Sequence, residues 1–397
     1  MAQPKTWIAS GNMVEENRKE RWRSEYVPER IFIDARVLDL PLTGRILSRL
    51  KSVPSAVLRS GREKRRALDE ILAAADPVGE GKKTLWLTAN RGRFVKPCPC
   101  TPLYPGCSYF VIHHTLQCPL NCAYCILQGY LAEPWIAVHV NTEDLWGELD
   151  RFLAARRGRY LRMGTGELGD SLALDPITGF STEAVSYFRD WPNVDFEFKT
   201  KTLNIGSVLR LDAPRNIVIS WSLNTERMAR EGEIGAPSVS ARLDAARAAV
   251  EKGFRVGFHF DPLIRHFGWR KGYEDVVAAL FHKIPTSSIA WISLGEFRFP
   301  PGLKKIIQAR FPESRITADE FVPCEDGKRR YFRPLRFELF GRMIELIRKC
   351  GGRGVPVYLC MESAETWEKM LGGKPEGGKG ALESALSPRR ESSSEKG

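Results

Sequence analysis

The sequence has no long apolar run: no segment approaches the about 18 consecutive apolar residues that mark a membrane-spanning helix. Its first seven residues, MAQPKTW, contain no apolar stretch of the kind that forms the centre of a secretory signal. We therefore expect neither a membrane span nor a secretory leader, and we predict a cytoplasmic protein.

The sequence also lacks the even, regularly spaced cysteines of a disulfide framework. It has nine cysteines, an odd number, and they are unevenly spread. Reduced thiols, some of them metal ligands, are the expected state. With 43% hydrophobic residues in 397, the chain is too apolar to be mainly disordered and is long enough to bury a large core.

Charge is unbalanced, with a formal net charge of +12 that allows a polyanionic partner such as nucleic acid without establishing one. Basic residues concentrate at 59–66, which is either a solvated helix face or a phosphate contact. A second run, at 328–336, mixes basic side chains with two aromatics, a composition suited to phosphates and extruded bases. We predict substrate contacts from Arg329, Arg330 and Tyr331, with a solvated charged surface as the alternative.

The pattern of the chain predicts four segments. These are an N-terminal α/β region over 1–96, a barrel region over 97–300, a C-terminal extension over 301–370 with possible nucleic-acid contacts, and a disordered tail over 371–397. From Tyr109 onward, strands alternate with helices in some six β/α units. Such alternation favours a parallel sheet, either open or curled into a barrel. Strand patterns occur at 109–112, 134–140, 159–163, 194–199, 217–222, 254–260 and 289–294.

The most informative motif is a C-x3-C-x2-C triplet formed by Cys118, Cys122 and Cys125 directly after the first of these strands. Three thiolates within eight residues can bind one face of an iron–sulfur cluster and leave one iron open to a small molecule. Structural zinc, the main alternative, takes four ligands, and only one C-x2-C pair is present. His113 and His114 lie close by at the strand end, and the third possibility is that the thiols are inert.

Small and polar residues follow several predicted strands, at the edge where barrel enzymes place their sites. Any one set is more often structural, but successive sets indicate a shared pocket. The candidate cofactor-binding residues at these strand ends are Gly164, Thr165, Glu167, Lys201, Ser222, Asn224 and Asp261.

The cysteine spacing, with Tyr124 directly before the third cysteine, resembles the radical S-adenosylmethionine (radical SAM) superfamily. Within it the chain resembles the spore photoproduct lyase family over roughly 30–346. The matching stretches are IFIDAR at 31–36, YCILQ at 124–128, FKTK at 198–201, WSLN at 221–224 and GFHFDPLIRHFGW at 257–269.

The resemblance implies a partial (β/α)6 barrel, a 4Fe–4S cluster held by the three cysteines, and S-adenosylmethionine as second cofactor. It places Tyr124, Lys201 and Ser222 around S-adenosylmethionine, with Glu167 nearby. The substrate side of the pocket is implied to contain Arg265, His266 and Trp269. The implied reaction abstracts hydrogen from the methylene of a thymine-dimer lesion, which is lyase chemistry in DNA repair.

Two departures from the family pattern concern the return of a hydrogen atom to the product. The lyases have a cysteine where this chain has Gly164, and a tyrosine where it has Ile126. Another thiol or a water-exposed donor must replace them, or the reaction differs. We predict two catalytic residues, Tyr124 and the thiol of Cys107. With Cys98 and Cys100 it forms a group that is either ordinary thiols, a hydrogen donor or ligands for a second metal.

The sequence thus predicts a radical SAM enzyme acting on a damaged or modified base in DNA, reduced by a partner such as flavodoxin or ferredoxin. Because of the two departures, we hypothesise that it is not a spore photoproduct lyase in the narrow sense. The same chemistry on RNA, a peptide or a small metabolite is the first alternative. A non-catalytic, zinc-containing nucleic-acid-binding protein is the second. The oligomeric state is not predicted.

Overall fold

The computed structural model describes residues 26–100, 104–105 and 107–372. The predicted disordered tail lies outside the described residues from 373 onward. Within the described part, no helix is long and apolar enough to cross a membrane.

The described strands form a first sheet, a larger second sheet and two small sheets. They are β1 (Arg30–Asp34), β2 (Ser55–Leu58), β3 (Thr84–Thr88), β4 (Val95–Pro97), β5 (Tyr109–Ile112), β6 (Thr115–Leu116), β7 (Asn121–Cys122), β8 (Ile136–His139), β9 (Leu161–Gly164), β10 (Val194–Thr200), β11 (Ile217–Ser222), β12 (Glu233–Ile234), β13 (Arg255–Leu263), β14 (Ile289–Glu296), β15 (Arg298–Phe299), β16 (Phe321–Pro323), β17 (Arg329–Tyr331) and β18 (Val357–Leu359).

Helices connect most of these strands, as the sequence pattern predicts. They are α1 (Pro41–Arg49), α2 (Gly61–Leu72), α3 (Pro77–Lys82), α4 (Leu127–Tyr130), α5 (Thr142–Ala154), α6 (Asp175–Thr178), α7 (Phe180–Phe188), α8 (Gly206–Leu209), α9 (Glu226–Gly232), α10 (Val239–Glu251), α11 (Trp269–Lys283), α12 (Pro301–Arg310), α13 (Arg333–Gly351) and α14 (Ala364–Leu371).

The first sheet has the strand order β2-β1-β3-β8-β6 and is parallel except for β6. Strand β8 was expected to continue the barrel series, but it pairs with β3 of the N-terminal region instead. Conversely, β4 joins the edge of the second sheet beside β5. The predicted division at 96–97 therefore does not separate the two sheets.

The basic run at 59–66 lies at the start of α2, on the outside of the first sheet. Arg65 and Arg66 form exposed ion pairs with acidic residues one turn further along the helix. The Lys64 ammonium lies 5.6 and 5.5 Å from the ring centroids of Trp86 and Trp135. These contacts favour a solvated helix face over a phosphate site.

The second sheet has the order β18-β14-β13-β11-β10-β9-β5-β4, with all strands parallel except β4. The guanidinium carbon of Arg162 on β9 lies 4.1 Å from the ring centroid of Trp291 on β14. In a flat sheet these strands, four positions apart, would be about 19 Å from each other. The contact shows that the sheet curls, and the predicted partial barrel is confirmed.

Strand β10 shows how the sequence produces this barrel. Phe196 and Phe198 alternate with Asp195, Glu197 and Lys199, a pattern that usually indicates one solvated face. Here both faces are covered, since Glu197 is 1% exposed. The phenylalanines belong to the apolar core, and the charged residues face the interior of the barrel, where they contact residues of other strands.

The C-terminal extension packs against the barrel through a buried ion-pair network. The Arg330 guanidinium, on β17, pairs with Asp326, Glu296 and Glu362, all of them at most 1% exposed. The Glu296 carboxylate also accepts a hydrogen bond from the backbone N–H of Tyr331 at 3.1 Å. Breaking such a network leaves uncompensated charges away from water.

Replacing Arg330 by alanine should lower the free energy of unfolding by about 3–5 kcal/mol, because three buried carboxylates lose the cation that they share, and Lys328 and Arg336 pair with them only in part. Arg329→Ala, on the same strand, is the matched control and should change it by at most about 0.5 kcal/mol. Chemical denaturation of the apoprotein measures both. Equal, small effects would show that the network does not stabilise the fold.

Candidate active site

The cluster loop, residues 118–125, is held in place on both sides. Cys118 and Cys122 are 9% and 7% exposed, and Cys125 is half-buried. Strand β7, which contains Cys122, pairs with β12, and the Ala123 N–H donates to the Gly232 carbonyl at 2.7 Å. The loop is therefore fixed by backbone hydrogen bonds independently of any bound group.

Lys82, the last residue of α3, supports the loop from the N-terminal region. Its side chain is buried, and the ammonium donates to the carbonyl oxygens of Cys118 at 2.6 Å and Leu120 at 2.7 Å. The same ammonium lies 3.4 Å from the Gln117 side-chain oxygen. A buried positive charge thus orients the backbone next to the first cysteine.

Tyr124 joins the loop to a second buried network. Its hydroxyl donates to the Glu233 carboxylate, which also pairs with the fully buried Arg242 guanidinium. Arg242 in turn donates to the Ser222 carbonyl at 2.9 Å. The Tyr124 ring lies 5.7 Å from the Lys201 ammonium. The predicted neighbours Tyr124, Lys201 and Ser222 are therefore brought together.

The residues present fit an iron–sulfur cluster better than a single metal ion. Burial raises the pKa of Cys118, with Lys82 opposing it, and raises that of Cys122 to about 12, with Lys201 opposing it. A structural zinc ion takes four protein ligands, whereas this loop supplies three cysteines. Three thiols from one loop are the donor set of a larger cluster with an open position.

His114 is packed inside the fold. It is 3% exposed and stacks on Phe180 with ring centroids 4.0 Å apart. Burial lowers the pKa of its imidazole to about 3, so it is a neutral packing residue. Burial also lowers the pKa of His113, to about 4. Neither observation favours the zinc alternative.

The residues after β9 and β10 lie together at the mouth of the barrel. Glu167 forms an ion pair with Lys199, and the Thr165 hydroxyl donates to the Ser171 hydroxyl at 2.9 Å. Because alternate residues of a strand share a face, Lys199 and Lys201 both lie on the inner side. Lys199 forms an ion pair with Glu167, whereas Lys201 lies beside the cluster loop.

Two of the predicted cofactor-binding residues are already used within the fold. The buried Asn224 amide donates to the Pro262 carbonyl at 3.0 Å and accepts from the Tyr273 hydroxyl at 2.9 Å. The Asp261 carboxylate accepts two bonds from Arg298, at 3.1 and 3.2 Å. Both residues fix the C-terminal end of β13, and their contact with a cofactor stays a prediction.

A polar cluster inside the barrel was not predicted as part of the site. One oxygen of the Glu197 carboxylate accepts from the Ser220 hydroxyl, from the Trp291 indole at 3.0 Å and contacts His259 Nε2 at 2.7 Å. Burial would raise the pKa of Glu197, but His259 and then Arg162 hold it well below its usual range. These partners therefore favour the ionised form of the carboxylate inside the barrel.

Arg162 lies beside this charge in an aromatic cage. Its guanidinium carbon is 4.1 Å from the Trp291 ring centroid, 5.1 Å from that of Tyr358 and 5.6 Å from that of Tyr109. It is 1% exposed, and its Nε and one terminal nitrogen have no hydrogen-bond partner. Cation–π contact therefore replaces much of its hydration.

The predicted substrate residues Arg265 and His266 line a groove of ≈ 740 Å³ that is also lined by Ala123 of the cluster loop. His266 Nε2 is 2.7 Å from the Thr225 hydroxyl, and burial lowers the pKa of its imidazole. Between His266 and α11, the side chain of Phe267 is 90% exposed. Trp269 is buried as the first residue of α11 and does not line the groove.

The basic stretch at 328–336 is arranged differently from the expectation. Arg330 and Tyr331 are both 0% exposed. Arg330 lies within its ion-pair network, and the Tyr331 hydroxyl accepts a hydrogen bond from the backbone N–H of Arg265 at 3.0 Å. The expected phosphate and base contacts are therefore closed to these two side chains in this conformation. Arg329 is half-buried, and its substrate contact stays a prediction.

Cys98, Cys100 and Cys107 come together at the other end of β5, where the connecting loop is partly outside the described residues. Their thiols interact with one another, and the other two lower the pKa of Cys100. Cys107 also lies near the Arg162 guanidinium. The role of Cys107 as a catalytic thiol stays a prediction.

Comparison with known proteins identifies the family. The model of the spore photoproduct lyase family matches residues 26–333. The chain belongs to the spore photoproduct lyase family. Its cofactors are accordingly a 4Fe–4S cluster and S-adenosylmethionine, and the predicted class, a lyase-like radical SAM enzyme, is confirmed.

Relatives within the spore photoproduct lyase family are distant. The spore photoproduct lyase of Bacillus subtilis (strain 168) is 22% identical over 320 residues, which cover 78% of this chain and 88% of that protein. The lyase of Geobacillus sp. (strain Y412MC61) is 26% identical over 217 residues, which cover 54% of this chain and 62% of that protein. The latter match spans less than two thirds of the relative's length.

Solved structures of spore photoproduct lyase share the fold. A complex with dinucleoside spore photoproduct has a TM-score of 0.74 at 22% identity and covers 84% of this chain and 99% of that chain. A double mutant with bound AdoMet and dinucleoside spore photoproduct has a TM-score of 0.70 at 20% identity, covering 85% and 99%.

Lys82→Met should weaken cluster binding at least about tenfold, because outer-shell partners that orient ligands contribute that much to metal affinity. The substitution keeps the aliphatic stem and removes the charge that fixes the Cys118 carbonyl. Iron and sulfide content after anaerobic reconstitution measures the effect. Lys83→Met, at an exposed ion pair next in sequence, is the control. Equal iron in both variants would contradict the role of Lys82.

Proposed function

We propose that this chain abstracts hydrogen from a damaged or modified base in DNA, as a relative of spore photoproduct lyase. The observation that carries the proposal is a groove that is lined by Ala123, a neighbour of the cluster cysteines, together with exposed arginine and aromatic side chains. A substrate strand in this groove lies next to the site where the radical forms.

The cofactors and the chain divide the chemistry between them. When bound, the cluster and S-adenosylmethionine supply a 5′-deoxyadenosyl radical, which takes hydrogen from carbon. Lys82 and the β7–β12 pairing hold the cysteines, while Tyr124, Glu233 and Arg242 fix the loop beside Lys201. The Lys201 ammonium supplies a positive charge for a carboxylate at the barrel mouth.

The rim of the groove has the composition of a single-strand or flipped-base contact. Arg227, Arg230 and Arg315 line it with exposed guanidinium groups of the kind that bind phosphates. Arg227 and Arg230 also form exposed ion pairs with Glu231, which lines the same groove. Phe267 lies among them, and its carbonyl accepts from the Arg227 guanidinium at 3.3 Å, which fixes the loop that presents the ring. Exposed aromatic rings on a fixed loop stack on unpaired bases.

Deuterium transfer tests the reaction. The anaerobically reconstituted and reduced enzyme, given dinucleoside spore photoproduct with a deuterated methylene, should release deuterated 5′-deoxyadenosine. A Cys125→Ala variant should release none. Absence of transfer from this probe, together with transfer from labelled RNA or peptide candidates, would move the enzyme to another substrate. Bound zinc without iron or 5′-deoxyadenosine would indicate a binding protein instead.

Removal of the Phe267 ring should weaken DNA binding by roughly 5- to 100-fold, since stacking contributes about 1–3 kcal/mol per base. Fluorescence anisotropy of Phe267→Ala with a lesion-containing oligonucleotide at fixed salt measures this. Phe332→Ala, an exposed aromatic in the 328–336 stretch, is the control and should bind like wild type. The reverse order of effects would place DNA on the β16–β17 hairpin rather than in the groove.

The reductant proposed for the cluster is a flavodoxin or ferredoxin. The hypothesis that the chain is not a lyase in the narrow sense also stays a prediction. It holds only if no other group replaces the missing hydrogen donor at Gly164, and repeated repair of dinucleoside spore photoproduct by the wild type would overturn it.

A further inference from the structure

Gly164 is required by the packing of the barrel interior. A Cβ atom at this position would overlap the Tyr109 hydroxyl and the backbone carbonyl of Glu197. The phenol oxygen of Tyr109 therefore occupies the space that a side chain at 164 would fill. The end of β9 loses a side chain there, and β5 supplies a hydroxyl in its place.

The Tyr109 hydroxyl is buried near the Glu197 carboxylate but forms no well-aligned hydrogen bond. The residue is 5% exposed, and its oxygen makes no hydrogen bond of acceptable geometry among the described residues. A buried polar group without a partner costs free energy and calls for an explanation. Burial, with the Glu197 and Glu167 carboxylates nearby, raises the pKa of the phenol well above its usual value, so the O–H bond stays intact.

Other hydroxyl groups around the barrel are committed to the fold. Tyr124 donates to Glu233, and Tyr160 donates to Asp195 at 2.7 Å. The Tyr358 hydroxyl accepts from Arg162 at 3.3 Å. Of the buried tyrosine hydroxyls in the described part of the chain, that of Tyr109 alone lacks a partner.

We propose that Tyr109 is a catalytic residue that returns a hydrogen atom to the substrate after abstraction. The inference rests on the proposed function. The O–H bond of Tyr109 breaks homolytically, the hydrogen atom forms a C–H bond at the substrate carbon radical, and a neutral tyrosyl radical remains. One electron from the same class of one-electron reductant that serves the cluster, with one solvent proton, restores the phenol.

This assignment separates two roles within the barrel. Arg162 holds the Tyr109 ring from one side without binding its oxygen, which makes Arg162 a positioning residue. Cys107 lies two residues before Tyr109 and interacts with Cys98 and Cys100. It is the alternative donor that the sequence predicts, and the same experiment decides between the two.

The test compares Tyr109→Phe with wild type on the methylene-deuterated dinucleoside spore photoproduct. The variant should transfer deuterium to 5′-deoxyadenosine within about twofold of wild type, while repaired product per 5′-deoxyadenosine falls at least about tenfold. In D2O, wild type should place one solvent deuterium in the product, and the variant should not. Tyr187→Phe, whose hydroxyl lies at the surface against Asp150, is the matched control and should behave like wild type.

Two readouts separate donation from a structural role. Freeze-quenched wild-type turnover should show a radical signal in electron paramagnetic resonance that narrows with ring-deuterated tyrosine and is absent in Tyr109→Phe. The unreduced variant should bind the dinucleoside as wild type does, and the apoprotein should unfold at no lower temperature, because an unpartnered buried hydroxyl is removed.

Normal repair by Tyr109→Phe, or loss of repair in Cys107→Ala instead, would overturn the assignment. Equal loss of deuterium transfer and repair in Tyr109→Phe would also overturn it, since the residue would then position the substrate. Failure of wild type itself to take deuterium from the probe would overturn the proposed function, and the donor role with it. That result is distinguishable from failure of the Tyr109 assignment alone, because it is obtained with the wild type and does not involve the variant.

Discussion

The barrel depends on one buried carboxylate. Glu197 accepts hydrogen bonds from the side chains of three other strands, and through them it joins β10, β11, β13 and β14 across the interior. A buried charge is tolerated only when its hydrogen-bonding capacity is met. Glu197 therefore dictates polar partners at Ser220, His259 and Trp291, and the caged Arg162 balances its charge. The interior is consequently polar and closely packed at once.

The active-site loop is organised from outside this interior. Lys82 and the Glu233–Arg242 pair each place a buried charge against backbone or side-chain groups of the loop. Both contact groups next to the cysteines, and contacts of this kind orient the ligands of a metal without binding the metal themselves. The barrel thus supplies the reacting groups, while the surrounding layers hold the cysteines at its mouth.

The sequence predicted the cysteine triplet, the family and most strands, because these follow from local spacing and alternation. It did not predict the role of Glu197, since alternation reveals two faces of a strand but not that the charged face is enclosed by curling. Burial of Arg330 was missed for a similar reason: its partners Glu296 and Glu362 are remote in sequence. Strand β8 was misplaced because a strand pattern does not specify its sheet.

The position of β8 has a consequence for the cluster loop. Strands β6 and β8 pair antiparallel in the first sheet, and the segment 117–135, which contains the cluster loop, runs between them. The two ends of this segment are thus brought together by the sheet independently of any bound iron. The conformational entropy of closing the loop is lost during folding and not during cofactor uptake, which makes the cysteines a preformed receptor.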